Sequence, residues 1–258
     1  MSAASPWWWS ERGGGSVLAF TSRGSGASAG PYAGLDLALH VGDDETAVRL
    51  NRAAVIGELA DLARVPQDGV TPVFMDQVHG SEVRLVTREE ELLGPVPSSD
   101  AVVTTLPRVA LFALVADCTP VLLVDPDAGV AGAVHAGRPG MLAGVVPVAV
   151  AAMRDVGARS IRAVVGPSVC GRCYEVPAEM REAAARVEPV CAAVTWTGTT
   201  AIDVAAGVVE QLTRADVATR WLPGCTRESQ DLYSYRRDGR TGRFGGVVML
   251  TDTSPDTP

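Results

Sequence analysis

The chain has 258 residues, 47% hydrophobic and 20% charged, with a formal net charge of −8. That length and balance suit a globular protein of one large domain or two small ones, with a core that needs no cross-link to hold it. The acidic surface excludes non-specific DNA or RNA binding, which runs on cationic patches; all 22 basic residues are Arg and Asn51 is the sole asparagine.

The opening "MSAASPWWWSERGGGS" has neither the basic n-region nor the apolar h-region of an export signal. Residues 1–15 read as a loose tail, with Trp7, Trp8 and Trp9 docked on the body or disordered. Residues 252–258 read as a disordered second tail, leaving one domain over 16–251. "DDETAVRLNRAAVIGELADLARV" predicts a helix capped by Asp43 or Asp44, its apolar stripe running through Val48, Val55, Leu59 and Leu62. "VTPVFMDQV", "SEVRLV", "DAVVTT", "VALFALVA", "PVLLVD" and "GVAGAVHA" are strand candidates. Met141 to Val156 predicts a helix broken or kinked at Pro147, too short and interrupted to span a bilayer. "SIRAVVG" is a strand, "PAEMREAAARVE" a helix with Pro177 in its first turn, "DVAAGVVEQLTRADV" a further helix and "GGVVML" a closing strand. This is an α+β pattern with mixed sheets covered by helices; without an export signal or a bilayer-spanning stretch, a soluble, cytoplasmic protein is expected. Five cysteines without an export signal argue against a disulfide framework.

The hairpin "PVLLVD"–"VAGAVHA" carries the chemistry. A four-residue turn, Pro126-Asp127-Ala128-Gly129, makes paired residue numbers sum to 255. Cys118 then falls opposite Gly137, and His135 lies on the same face as its diagonal neighbour. A one-residue slip would separate them. Asp117 precedes Cys118, and Gly137 and Gly140 leave the backbone beside His135 open. His79, in "DQVHG", likewise ends an apolar strand before glycine; His40 is the remaining histidine. Two imidazoles and a thiolate, with a position left for water, match an open catalytic zinc site, and copper tolerates the same ligands. A buried cysteine and a strand-capping histidine are the structural alternative.

"VFMDQVHGSEV", "SDAVVTTLPRVALFALVADCTPVLLVDPDAGVAGAVHAG", "VVGPSVCGRCYEV" and "SYRRDGRTGR" occur in order. With "FTSRGSGASAGPYAGLDLALHVGDD", they resemble the laccase-domain, or YfiH-like, family over about Val17 to Leu250. Members of that family are described as purine nucleoside phosphorylases with adenosine deaminase activity. The resemblance implies a four-layer α/β/β/α sandwich and a metal at His79, Cys118 and His135, with zinc expected and copper as the alternative. It departs in four places. "HAGRPG" stands for HAGWRG, Asp36 for an Asn, "GSGAS" for GGVS and "CTR" for CTY.

Three histidines cannot ligate the copper centres of a true laccase. The first reading is therefore a purine nucleoside enzyme. It would deaminate adenosine through water attacking C6, with Asp117 as proton carrier or as an orienter of a ligand. It would also split nucleosides with phosphate, held by Arg23 and by Arg236 or Arg237. The partners expected are small molecules, with no nucleic acid, no membrane and the oligomeric state open. A second reading is a metal-free cysteine hydrolase acting on a cell-wall precursor, with Cys118 as nucleophile, His135 as base and Asp117 as orienter. A third is a binding protein that kept the fold and lost activity. Cys170 and Cys173 have the spacing of a redox pair or half a zinc site. No second pair completes it, with Cys191 and Cys225 standing alone, so they read as structural.

Overall fold

The computed structural model describes residues 5–24, 26–88 and 98–252. The elements in chain order are β1 (Trp7–Gly13), β2 (Ser16–Thr21), α1 (Glu45–Ala63), β3 (Thr71–Phe74), β4 (Val83–Val86), β5 (Ala101–Thr104), β6 (Val109–Val115), β7 (Thr119–Asp125) and β8 (Val130–Ala136). Then come α2 (Arg138–Ala143), α3 (Val145–Asp155), β9 (Arg162–Val165), α4 (Ala178–Val187), β10 (Ala192–Val194), β11 (Thr200–Ile202), α5 (Val204–Arg214), β12 (Ala218–Trp221), α6 (Tyr235–Asp238) and β13 (Phe244–Leu250).

Two mixed sheets follow from these strands. One has the order β1-β2-β13-β6-β3 and the other β12-β9-β7-β8-β5-β4. Strand periodicity assigns each face. In β7, Leu122 and Val124 point between the sheets, where they meet Phe20, Leu111 and Val248 of the first sheet. Val121 and Leu123 point the other way, against Val146, Val150 and Val208 of α3 and α5. On the far side of the first sheet, Ala110, Phe112 and Val247 pack on Val55 and Leu59 of α1. The layers are therefore helix, sheet, sheet, helix, the four-layer α+β sandwich expected. Every residue of β6, β7, β8 and β13 is buried. Each fully buried Leu, Val or Phe side chain contributes about 1.5–3 kcal/mol, so the polar ends of these strands are held by a stiff frame.

The hairpin register is as the sequence predicts: Asp125 pairs Val130, Pro120 pairs His135 and Thr119 pairs Ala136. Helix α1 begins at Asp44, whose carboxylate accepts from the Ala47 N–H at 2.8 Å.

Two expectations are corrected. The break in the 141–156 region lies at Gly144 (φ 82°), not at Pro147. Glycine takes that left-handed conformation without strain. Pro147 sits inside the first turn of α3, where its missing N–H has no intrahelical partner to lose. The expected loose tail over 1–15 is a strand from Trp7 onward, paired antiparallel with β2. Trp8 and Trp9 cover the core between the sheets and Trp7 packs on the α1 side, so apolar burial fixes the segment. Residues 1–4 and 253–258 lie outside the described residues. Among the described residues, no helix is long and apolar enough to cross a membrane.

Candidate metal centre and its cavity

His79, Cys118 and His135 come from three separate segments and converge. One ligand atom from each lies within 4.8 Å of the others. The His79 Nε2 is 3.6 Å from the Cys118 Sγ, and the two imidazoles meet edge to face with centroids 4.7 Å apart.

The two histidines are placed by identifiable bonds. After β3, Gln77 continues the strand pairing with its side chain: its amide donates to the Leu114 carbonyl at 2.7 Å and accepts from the Leu114 N–H at 2.8 Å. The chain then turns at His79, in the left-handed region (φ 63°). Asp100, fully buried just ahead of β5, catches that turn. Its Oδ1 accepts from the His79 N–H at 2.9 Å and its Oδ2 from the Gly80 N–H at 2.6 Å and the Val78 N–H at 3.3 Å. The same Oδ1 lies 2.7 Å from the His135 Nδ1, which leaves Nε2 as that ring's free nitrogen. One carboxylate thus orients the His135 imidazole, as the usual partner of a metal-binding histidine does, and fixes the backbone turn that carries His79. Sequence reasoning missed Asp100. Its only local signal is an acid leading an apolar strand, in "SSDAVV".

Gly137 completes the cradle. A Cβ there would fall 2.5 Å from the His79 Cδ2 and 3.3 Å from the Cys118 Sγ, so only glycine leaves the three ligands room. Two imidazole nitrogens and one thiolate, with an orienting carboxylate behind them, fit a divalent zinc-class ion.

Electrostatics ready the ligands. Burial pushes the Cys118 thiol up, but the charge and hydrogen bonds of His135 and His79 outweigh it and bring the thiol down to about 6. Burial disfavours a charged His135, yet the Cys118 thiolate and the Asp100 carboxylate push it up to about 9. Burial also works to raise the Asp100 carboxyl, and the hydrogen bonds from His135, Gly80 and His79 prevail and hold it below its usual range.

Asp117 lines the cavity beside the ligands, with both carboxylate oxygens already engaged. Its Oδ1 accepts from the Thr226 hydroxyl at 2.6 Å and the Ser234 hydroxyl at 2.7 Å, and its Oδ2 from the Arg236 N–H at 2.5 Å. With both oxygens occupied, the geometry gives it the task of tying the 226 and 234 segments to the start of β7. Asp100, not Asp117, orients His135.

The three arginines named from sequence separate. Arg237 spends its guanidinium on the carbonyls of Thr226, Ser229 and Leu232 and on the neighbouring Asp238 carboxylate. Arg23 donates to the Ala33 carbonyl at 3.0 Å and stacks on Tyr233, away from the ligands. Arg236 alone of the three lines the cavity above them, its guanidinium 4.8 Å from the centroid of Tyr174. That cavity is about 390 Å³ and also takes in Arg138, Arg243, Tyr235 and His40. Arg138 belongs to the departing "RPG": it opens α2, and its Nε is buried without a protein partner.

The chain is similar to known proteins over most of its length. A purine nucleoside phosphorylase of Streptomyces coelicolor is 52% identical over 242 residues, 92% of this chain and 96% of its own length. The purine nucleoside phosphorylase YfiH of Shigella flexneri is 33% identical over 240 residues, 89% of this chain and 92% of its own. The crystal structure of YlmD from Geobacillus stearothermophilus superposes with a TM-score of 0.81 at 30% identity, covering 96% of this chain and 100% of that one. The model of the family described as multi-copper polyphenol oxidoreductase laccase matches residues 17–251, and the chain belongs to that family.

Proposed function

We propose that this protein is a metal-dependent purine nucleoside enzyme that cleaves adenosine and inosine with phosphate and deaminates adenosine. The observation that carries the reading is the convergence of His79, Cys118 and His135 at one cavity. Its volume is that of a small-molecule site, and its walls supply aromatic faces and guanidinium groups. The names of the relatives point to the same substrates.

His79 Nε2, Cys118 Sγ and His135 Nε2 would hold the metal, zinc by the ligand set and copper as the alternative. When bound, a divalent ion supplies Lewis-acid activation of an oxygen. The chain's own residues do the rest. Asp100 fixes the His135 tautomer and the His79 turn. Arg236 and Arg138 offer planar forks for a phosphate or a ribose oxygen, a geometry that binds oxyanions bidentately. Tyr174 and Tyr235 give flat apolar faces for a purine or ribose. In phosphorolysis a phosphate oxygen forms the new bond to ribose C1′ while the glycosidic C1′–N9 bond breaks and its electron pair leaves with the base. Holding phosphate and sugar together there is the arginines' contribution.

Chromatography of adenosine reactions tests this. Free adenine should form only with phosphate present, and inosine should form without it. Neither product, from metal-replete protein, would exclude the reading. One observation favours the cysteine hydrolase as a second reading: the depressed Cys118 thiol beside a charged His135 is also the pattern of an activated nucleophile. Activity that survives chelation and dies on alkylation with iodoacetamide would support it.

A further inference from the structure

A second cluster lies outside the His/Cys/His centre. Cys170, Cys173, Cys225 and Glu228 each offer a ligand atom, and these four atoms all lie within 4.8 Å of one another. The Cys173 thiol donates to the Glu228 Oε1 at 3.3 Å, and no disulfide joins the cysteines.

The backbone around them is built twice on one plan. In Cys170-Gly171-Arg172-Cys173, the N–H groups of Cys173 and Tyr174 donate to the Cys170 carbonyl at 2.9 and 3.0 Å. In Cys225-Thr226-Arg227-Glu228, the N–H groups of Glu228 and Ser229 donate to the Cys225 carbonyl at 3.2 and 2.9 Å. Each turn presents its first and fourth side chains to the same point. The turns are joined by a bridge between Ser168 and Cys225, with the Ser168 N–H on the Gly224 carbonyl and the Thr226 N–H on the Ser168 carbonyl. Paired two-residue-spaced ligand turns are how structural zinc is held.

We propose that Cys170, Cys173, Cys225 and Glu228 form a second, structural metal site for a zinc-class divalent ion. Three thiolates and one carboxylate fill a tetrahedral shell and leave no position for substrate. Binding releases the three thiol protons to solvent. The ion staples the segment after β9 to the segment after β12. These two segments shape the active cavity: Tyr174 lines it, and Thr226 holds Asp117. Between β12 and α6, residues 222–234 contain no helix or strand, so a staple there replaces the order that secondary structure would give.

Elemental analysis of the full chain as purified separates the two centres. In His79→Ala protein, which cripples the first, about one zinc per chain should remain. In the His79→Ala, Cys173→Ser double variant it should be lost. Because a cysteine variant can fail to fold, Co2+ loading of the folded His79→Ala protein gives an independent reading. It should show intense near-ultraviolet thiolate-to-cobalt absorption, and Glu228→Gln should hold Co2+ at least about 10-fold more weakly while keeping that band. Zinc should also protect the three thiols from iodoacetamide until a chelator is added. The proposal is overturned if His79→Ala protein binds no zinc or Co2+, if the thiols alkylate equally with and without chelator, or if intact mass shows them oxidised to a disulfide. None of these outcomes depends on nucleoside turnover.

Discussion

Asp100→Asn exchanges one oxygen for a nitrogen at the point where four donors meet. The Asp100 oxygens receive the His135 Nδ1 and the N–H groups of His79, Gly80 and Val78. An Asn side chain can be placed two ways. With its NH2 toward Gly80, a buried N–H at 2.6 Å faces a second donor. With its NH2 toward His135, that ring must accept at Nδ1, so its proton moves to Nε2, the atom a metal needs. Either arrangement leaves a buried donor unpaired, at about 1–3 kcal/mol. For a chain of this size that lowers Tm by roughly 2–12 °C. Loss of an orienting partner also weakens metal affinity by about 10- to 100-fold. Thermal denaturation and competition for zinc against a chromogenic chelator read the two effects. A variant with unchanged Tm and unchanged zinc affinity would refute the argument that this carboxylate holds both histidines.

Gly137→Ala should abolish metal binding at the first centre by displacing His79, with the fold retained in the circular dichroism spectrum, because its Cβ meets the His79 Cδ2 at 2.5 Å. Asp36→Asn should raise Tm above neutral pH. Burial, then the neighbouring Asp43, raise the Asp36 carboxyl from 3.8 to about 6, and one oxygen of each acid is buried without a partner. A carboxyl that binds its proton more tightly when folded contributes fully below pH of about 4, and that stability is lost as pH rises through about 6, to a total near 3 kcal/mol. The Asn should flatten this fall, and melting curves from pH 4 to 8 with the same slope as wild type would contradict it. Arg236→Ala should raise the KM for phosphate by about 10- to 100-fold with little change in Tm, since charge-assisted hydrogen bonds are worth about 1.5–3 kcal/mol. Arg237→Ala should do the reverse, lowering Tm by several degrees, because its donors hold three loop carbonyls.

The hairpin was legible because its strands are buried on both faces and its turn leaves one register. Cys118 and His135 could therefore be placed on a common face by counting alone. His79 depended on a third strand end, for which residue type and a following glycine were the only cues. Asp100 was invisible because its four bonds join segments 20 to 35 residues apart, and nothing local marks an acid as their hub. The tryptophan tail misled for a related reason. An edge strand of mixed exposure beside glycines resembles a disordered end until its partner, β2, is known. Cys170 and Cys173 looked incomplete because their partner turn pairs a cysteine with a glutamate, far along the chain, and an exposed glutamate carries no signal of its own. Arg23 and Arg237 show the limit of residue type: the same guanidinium serves a loop carbonyl as readily as a phosphate.

Activity measured against zinc returned to chelated protein, in wild type and in Cys118→Ala, tests the central claim most directly. Phosphate-dependent adenine release should vanish on chelation, return in wild type as the His79, Cys118 and His135 centre fills, and stay absent in Cys118→Ala. Full adenine release from chelated protein, or from Cys118→Ala, would contradict it.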